Sequence, residues 1–109
     1  MSYEVESDDS TVSTAECDAF TRAVGHELRR HRNDQKLTLR DVSQQIGVSE
    51  SVLCRIELGR RPFSLSRLIV MCLVLGVEAS KIIAQAQKET FPFGWPTLDE
   101  RATGLVIYE

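Results

Sequence analysis

The sequence has no apolar run of about 18 residues, the length that a membrane-spanning helix requires. Its longest candidate, residues 68–75, is less than half of that length. The N-terminus also lacks a basic patch followed by an apolar segment, which would mark a secretory signal. We therefore expect neither a membrane span nor a secretory signal in this chain.

Cysteine and histidine are scarce as well. Cys17, Cys54 and Cys72 include no close pair, which fits neither a disulfide framework nor a zinc site. His26 and His31 lie five residues apart and would face different sides of a helix. No combination of nucleophile, acid and base appears either. We expect a cytoplasmic protein with no metal, no cofactor and no enzymatic activity.

Lys and Arg are missing from residues 1–21, where six acidic residues occur. Residues 22–67 instead carry ten basic and five acidic residues, a net charge of +5, and residues 68–109 carry −2. The total of −3 therefore hides a basic middle segment. Such a segment suits a polyanionic partner, so the overall charge does not exclude nucleic acid.

Composition divides the chain into three parts. Residues 1–17 are rich in Ser, Thr, Asp and Glu and have few bulky apolar side chains, so we expect a flexible acidic arm. Residues 18–87 show helical periodicity and form the single domain that 109 residues can support. The third part is residues 88–109, in which residues 91–96 hold three of the seven aromatic residues next to Pro and Gly, and this composition predicts an extended strap.

The domain is predicted to be all-α with five helices, because apolar residues recur at spacings of three and four and no strand is needed. Thr38, Ser49 and Ser64 stand where N-caps are expected, since each precedes an apolar-periodic segment. Gly47 and Gly76 stand where helices should end. The predicted helices are residues 18–32, 39–46, 49–58, 65–75 and 79–87.

The fourth predicted helix is apolar on every side over residues 68–75, which indicates either full burial or an outer face that meets a partner. The inward stripe is predicted to be Leu65, Leu68, Ile69, Cys72 and Leu75. A dimer or partner surface is expected to contain three other apolar residues of this helix and five from the strap and its strand-like end. They are Val70, Met71, Val74, Phe91, Phe93, Trp95, Leu105 and Ile107.

Residues 24–83 resemble the phage-repressor type of helix-turn-helix domain, the lambda-repressor, Cro-like or XRE family. The motifs that carry the resemblance are Arg32 at the end of the first helix, Leu37–Leu39, Ile46–Ser49, and Ile56-Glu57 followed by Gly59-Arg60. The resemblance covers about sixty of the 109 residues and neither tail. The resemblance implies a prokaryotic or phage protein that is associated with the nucleoid.

The resemblance also implies roles for individual residues. The third helix of the family enters the major groove of double-stranded DNA, and the positions that match its base contacts are Ser49, Glu50, Ser51 and Arg55. The positions placed to meet phosphates are Thr38, Arg40, Arg60 and Arg61. An ion pair between Arg32 and Glu57 ties the first helix to the third. Many relatives have Ala at the position of Ser43. Many also have, at the position of Leu39, a Gln that contacts the DNA backbone, and this contact is not expected here.

Two functions remain open at this point. The first is a sequence-specific DNA-binding transcriptional regulator of the repressor type, which acts as a homodimer on an inverted repeat. The second is a protein-interaction module, such as an antitoxin or an adaptor, whose C-terminal tail binds a partner protein. Glu50 has two interpretations as well, because an acidic residue near a helix N-terminus is favourable without any contact to a base.

Overall fold

The computed structural model describes residues 14–96, and within that range it contains five α-helices and no strand. The all-helical prediction is confirmed. The helices are α1 Thr14–Asp34, α2 Leu39–Ile46, α3 Glu50–Glu57, α4 Leu65–Leu75 and α5 Ala79–Thr90.

Two helices are longer than their apolar periodicity indicates. Helix α1 begins at Thr14, four residues before its predicted start, so residues 14–17 are helical and do not belong to an arm. Helix α5 continues to Thr90, three residues past its predicted end. Both extensions consist of residues that tolerate a helix, which apolar spacing alone does not detect. The rest of the predicted arm and the predicted strand, with Leu105 and Ile107, lie outside the described residues.

The predicted N-caps are all present. The Thr38 and Asp41 side chains form a reciprocal capping box at the start of α2. The Ser49 and Ser64 hydroxyls accept hydrogen bonds from backbone N–H groups at 3.1 Å, those of Val52 and Arg67. Gly47, with φ of 76°, ends α2 in the left-handed region that favours glycine. Local chemistry therefore determines the ends of α2 and the starts of α3 and α4.

The turn after α1 uses a left-handed residue that has a side chain. Lys36 has φ of 59°, and its N–H donates to the Asn33 carbonyl at 2.9 Å. The next N–H, of Leu37, donates to the Arg32 carbonyl at 3.1 Å. These are the two hydrogen bonds of a Schellman motif, in which glycine is the usual left-handed residue.

Because the Cβ atom makes this conformation unfavourable, we expect Lys36→Gly to raise the free energy of unfolding by about 1 kcal/mol. Urea denaturation followed by circular dichroism measures the change. The matched control is Lys81→Gly, which places glycine inside the regular helix α5 and should lower the stability by about 1 kcal/mol. A loss of stability at both positions would contradict the strain assigned to Lys36.

The core lies between α1, α3, α4 and α5, and α2 closes one side of it. Helix α1 packs along α5 and also contacts α3 and α4. The fully buried large side chains come from all five helices: Leu28, Val42, Leu53, Ile56, Met71 and Ile82.

The inward face of α4 differs from the predicted stripe. Met71 is only 1% exposed and belongs to the core, so its assignment to a partner surface is wrong. Leu65 is 70% exposed and Ile69 is also exposed, although both were expected inside. The buried residues of α4 are Leu68, Met71, Cys72 and Leu75. Both sets follow helical spacing, and periodicity cannot choose between them on a helix that is apolar all round.

Helices α1 and α3 cross so closely that a side chain on Gly25 would not fit. A Cβ atom at Gly25 would lie 2.5 Å from the carbonyl oxygen of Ile56 and 2.7 Å from that of Glu57. Those are among the last carbonyls of α3. The contact partner is therefore backbone, which cannot move aside by changing a rotamer.

No single helix among residues 14–96 is long and apolar enough to cross a membrane. Helices α4 and α5 meet the length and composition criteria only when they are taken together, and they are bent by 110° at the break between them.

Candidate nucleic-acid interface

Helix α3 is anchored by one face and presents the other to solvent. Leu53 and Ile56 are fully buried, three residues apart, and hold the helix against α1 and α2. The four positions assigned to base contacts are all exposed: Ser49, Glu50, Ser51 and Arg55. The N-cap role of Ser49 uses a lone pair of its hydroxyl and leaves the O–H proton able to donate to another group.

The turn that leads into α3 depends on a small buried residue. Ser43 is 3% exposed, and its hydroxyl donates to the Arg40 carbonyl at 3.1 Å. The Ser43 hydroxyl is thus satisfied within α2 itself. Leu39 is half-buried and packs against the core.

The four residues assigned to phosphates are exposed on two segments: Thr38, Arg40, Arg60 and Arg61. In the capping box the Thr38 hydroxyl accepts from the Asp41 N–H at 3.0 Å. The Asp41 carboxylate accepts from the Thr38 N–H at 2.9 Å. That hydrogen bond is the main cause that lowers the pKa of Asp41, because it stabilises the charged form of the carboxylate.

Arg22 is a further exposed cation beside this surface, and sequence analysis missed it. A Cβ atom on Gly59 would lie 2.6 Å from the Arg22 Cα, so α1 passes directly against the loop that carries Arg60 and Arg61. Gly59 has φ of 71°, which also favours glycine. In the sequence, only Gly59 itself indicates a close approach, and a glycine does not identify a contact residue 37 positions away.

Arg32 and Glu57 form a buried ion pair that joins α1 to α3. The Arg32 Nε and Nη2 atoms donate to the two Glu57 oxygens at 2.6 and 2.9 Å. The third guanidinium nitrogen donates to the Leu37 carbonyl at 2.7 Å. The Glu57 hydrogen bond is the main cause that raises the pKa of Arg32. One side chain thus positions both α3 and the segment before α2.

The aromatic strap begins at Phe91 and folds back onto α1. Phe91 and Trp95 lie with ring centroids 5.1 Å apart, and each lies 6.2 Å from the ring of Phe20. Phe91 and Trp95, which were expected on a dimer or partner surface, thus contact α1 of the same chain. Phe93 is fully exposed and Trp95 remains 62% exposed.

Comparison with known proteins agrees with the arrangement of the five helices. The family described as a helix-turn-helix domain matches residues 23–82, more than half of the chain. The clp gene regulator ClgR from Corynebacterium glutamicum is 30% identical, with a TM-score of 0.63 over 65% of this chain and 76% of that one. No curated protein matches.

Two more distant solved structures share the fold. The restriction-modification controller protein C.AhdI from Aeromonas hydrophila is 23% identical, with a TM-score of 0.56 over 59% of this chain and 97% of that one. The hypothetical transcription factor NHTF from Neisseria is 22% identical, with a TM-score of 0.58 over 68% and 82%. The chain belongs to the helix-turn-helix family of DNA-binding regulators, and its resemblance to the phage-repressor type is confirmed.

Proposed function

We propose that this protein is a sequence-specific transcriptional regulator that reads the major groove of DNA with the exposed face of α3. The observation that carries the proposal is the contrast between the two faces of this helix. Leu53 and Ile56 hold the helix in the core. Glu50, Ser51 and Arg55 are exposed, so burial in the core does not explain them. An arginine can bond guanine in a bidentate manner, and serine can bond several bases.

The flanking cations support the same orientation on DNA. Arg40 stands in the first turn of α2, and Arg60 and Arg61 follow the end of α3. Contacts from these segments to phosphates would fix the register of α3 without reading sequence. Arg22 adds a fourth positive charge next to the second segment.

We expect Arg55→Ala to weaken binding to the preferred operator by about 1–3 kcal/mol, roughly 5- to 150-fold, and to relax preference at one base position per half-site. A selection from a random DNA pool, carried out first with the unmodified protein, provides the operator and the preference profile. Equal weakening on all sequences would contradict a base contact by Arg55.

Arg61→Ala is the contrasting variant, because it removes the same charge from an exposed position that is assigned to phosphate. It should weaken binding on every sequence alike and make the slope of affinity against salt shallower by about one unit. A changed base preference in this variant would show that the base and phosphate assignments are exchanged.

We further propose that the protein binds an inverted repeat as a homodimer through the outer face of α4. Leu65 and Leu73 are 70% and 76% exposed, and Ile69 and Val70 are exposed beside them. An apolar helix face of this kind is typical of a contact surface. One α3 provides few base contacts, and a second subunit about 34 Å away along the DNA would double them.

Leu73→Glu tests the dimer, because it places a charge at the most exposed position of the apolar face of α4 without touching the core. We expect a dimer for the unmodified protein and a monomer for the variant by light scattering at micromolar concentration, together with weaker operator binding. Arg29→Glu, at an exposed position of α1, is the matched control and should remain dimeric. A Leu73→Glu variant that stays dimeric would remove α4 from the interface.

The exposed strap favours a second candidate, in which the chain is chiefly a protein-interaction module. Phe93 and Trp95 present aromatic surface to solvent, which is enriched at protein interfaces. A gel-shift experiment at low salt with fragments from the protein's own locus separates the two functions. Retardation supports DNA binding, whereas its absence at every fragment would leave the interaction module as the better explanation.

A further inference from the structure

Three potential metal ligands meet where α1 packs against the end of α5. His26 and Glu27 come from α1 and Glu89 comes from α5. One ligand atom from each lies within 4.8 Å of the other two. Because the third residue is 62 positions further along the chain, spacing in the sequence could not reveal this group.

The two distances from His26 suit an ion better than a direct hydrogen bond, and the Glu27 and Glu89 carboxyl groups lie within hydrogen-bonding reach of each other. The His26 Nδ1 atom lies 3.6 Å from a Glu89 oxygen and 3.8 Å from the Glu27 Oε2 atom. Both separations are too long for good hydrogen bonds. Ligands of a tetrahedral zinc ion, with bonds of about 2.0–2.1 Å, are about 3.4 Å apart. Small side-chain movements would therefore complete the coordination.

Glu27 is held in place before any ion binds. Its side chain is only 3% exposed, and Arg30 donates to its Oε1 atom from Nη2 at 2.7 Å and from Nε at 3.2 Å. The other oxygen, Oε2, is the one that faces His26. A partner that fixes a ligand from outside the coordination sphere in this way is a usual feature of metal sites.

The site can be reached from solvent. A groove leads to it between α1 and α5, lined by Ala19, Arg22, Ala23, His26, Glu89 and Thr90. The imidazole of His26 is 64% exposed and can rotate to meet an ion. Two neighbouring carboxylates repel each other, and Arg30 forms hydrogen bonds only with the Oε1 atom of Glu27, so a cation between the carboxylates is favourable.

We propose that His26, Glu27 and Glu89 form a binding site for a divalent transition-metal ion of the zinc type, which bridges α1 and α5. One imidazole nitrogen and two carboxylate oxygens are ligands that zinc accepts, and water completes the open position. The ion fixes the last turn of α5, directly before the strap that begins at Phe91. Metal binding therefore stabilises the α1–α5 contact, independently of any DNA contact.

The experiment uses the full chain with Co²⁺ as a spectroscopic probe and Zn²⁺ as its competitor. We expect a saturable visible absorption band of nitrogen and oxygen coordination, at one Co²⁺ per chain, that Zn²⁺ abolishes. Zn²⁺ should also raise the thermal unfolding midpoint. His26→Ala and Glu89→Gln should each weaken Co²⁺ binding by about tenfold or more. Glu27 is left unchanged because its burial makes a substitution there a threat to folding.

The chain offers a matched control for each variant. His31→Ala removes the other histidine, and Glu78→Gln makes the same change at the opposite end of α5; both should bind Co²⁺ as the unmodified protein does. Circular dichroism verifies that every variant is folded. The proposal is overturned by the absence of saturable Co²⁺ binding, by a thiolate charge-transfer band that assigns the metal to cysteine, or by binding that persists in a His26→Ala/Glu89→Gln double variant.

Discussion

Glu57→Gln is expected to lower the free energy of unfolding by about 3–5 kcal/mol, the usual cost of removing one partner of a buried ion pair. The variant leaves the Arg32 guanidinium buried without a charged partner, and only neutral acceptors such as the Leu37 carbonyl remain. A loss of this size is a large share of the 5–15 kcal/mol that typical domains possess. Urea denaturation measures it from the shift of the midpoint at constant slope.

Glu50→Gln is the control for this change, because it removes the same charge from the exposed end of the same helix. It should cost less than about 1 kcal/mol, which is the favourable interaction of an acid with a helix N-terminus. Replacement of both partners of the pair, as Arg32→Met with Glu57→Leu, should recover much of the loss. Similar effects of Glu57→Gln and Glu50→Gln would mean that the ion pair is not sequestered from water.

Gly25→Ala should cost about 2–3 kcal/mol, near the upper end of the usual range for overpacked sites. The new methyl group would meet the Ile56 and Glu57 carbonyls, so α1 and α3 must separate. The sign is informative, because in an isolated helix the same change is favourable by about 1 kcal/mol. The measurement is again urea denaturation, followed by far-ultraviolet circular dichroism.

Arg29→Ala at an exposed position of α1 is the comparison for this prediction, and it should change the stability by less than about 0.5 kcal/mol. Separation of α1 from α3 would also lengthen the Arg32–Glu57 contact. The losses of Gly25→Ala and Glu57→Gln should therefore fail to add when they are combined. A stabilised Gly25→Ala variant would show that the two helices have room to spare.

The features that sequence predicted best are those that local chemistry determines. Thr38, Ser49 and Gly47 each act within four residues of their own position, so their roles are visible without a three-dimensional arrangement. The start of α1 was missed because residues 14–17 include few apolar side chains. The orientation of α4 was missed because a helix that is apolar all round carries no information about its inward face.

The candidate interface shows the same division. The exposed positions on α3 follow from its helical phase once Leu53 and Ile56 are placed inside. The proximity of Arg22 to Arg60 and Arg61 depends on how α1 crosses the loop after α3, which only tertiary packing determines. The same holds for the pairing of Phe91 with Phe20, since aromatic composition predicts burial but not the partner.

The Phe20–Phe91–Trp95 contact brings the two outer segments of the chain to one corner of the domain. Thr14 lies six residues before Phe20, about 9 Å along the helix, and Trp95 packs on the same ring. The start of α1 and the strap thus lie on the same side of the domain. A macromolecule that contacts the first turns of α1 is thereby placed beside Trp95, so even weak contacts to both combine into avidity.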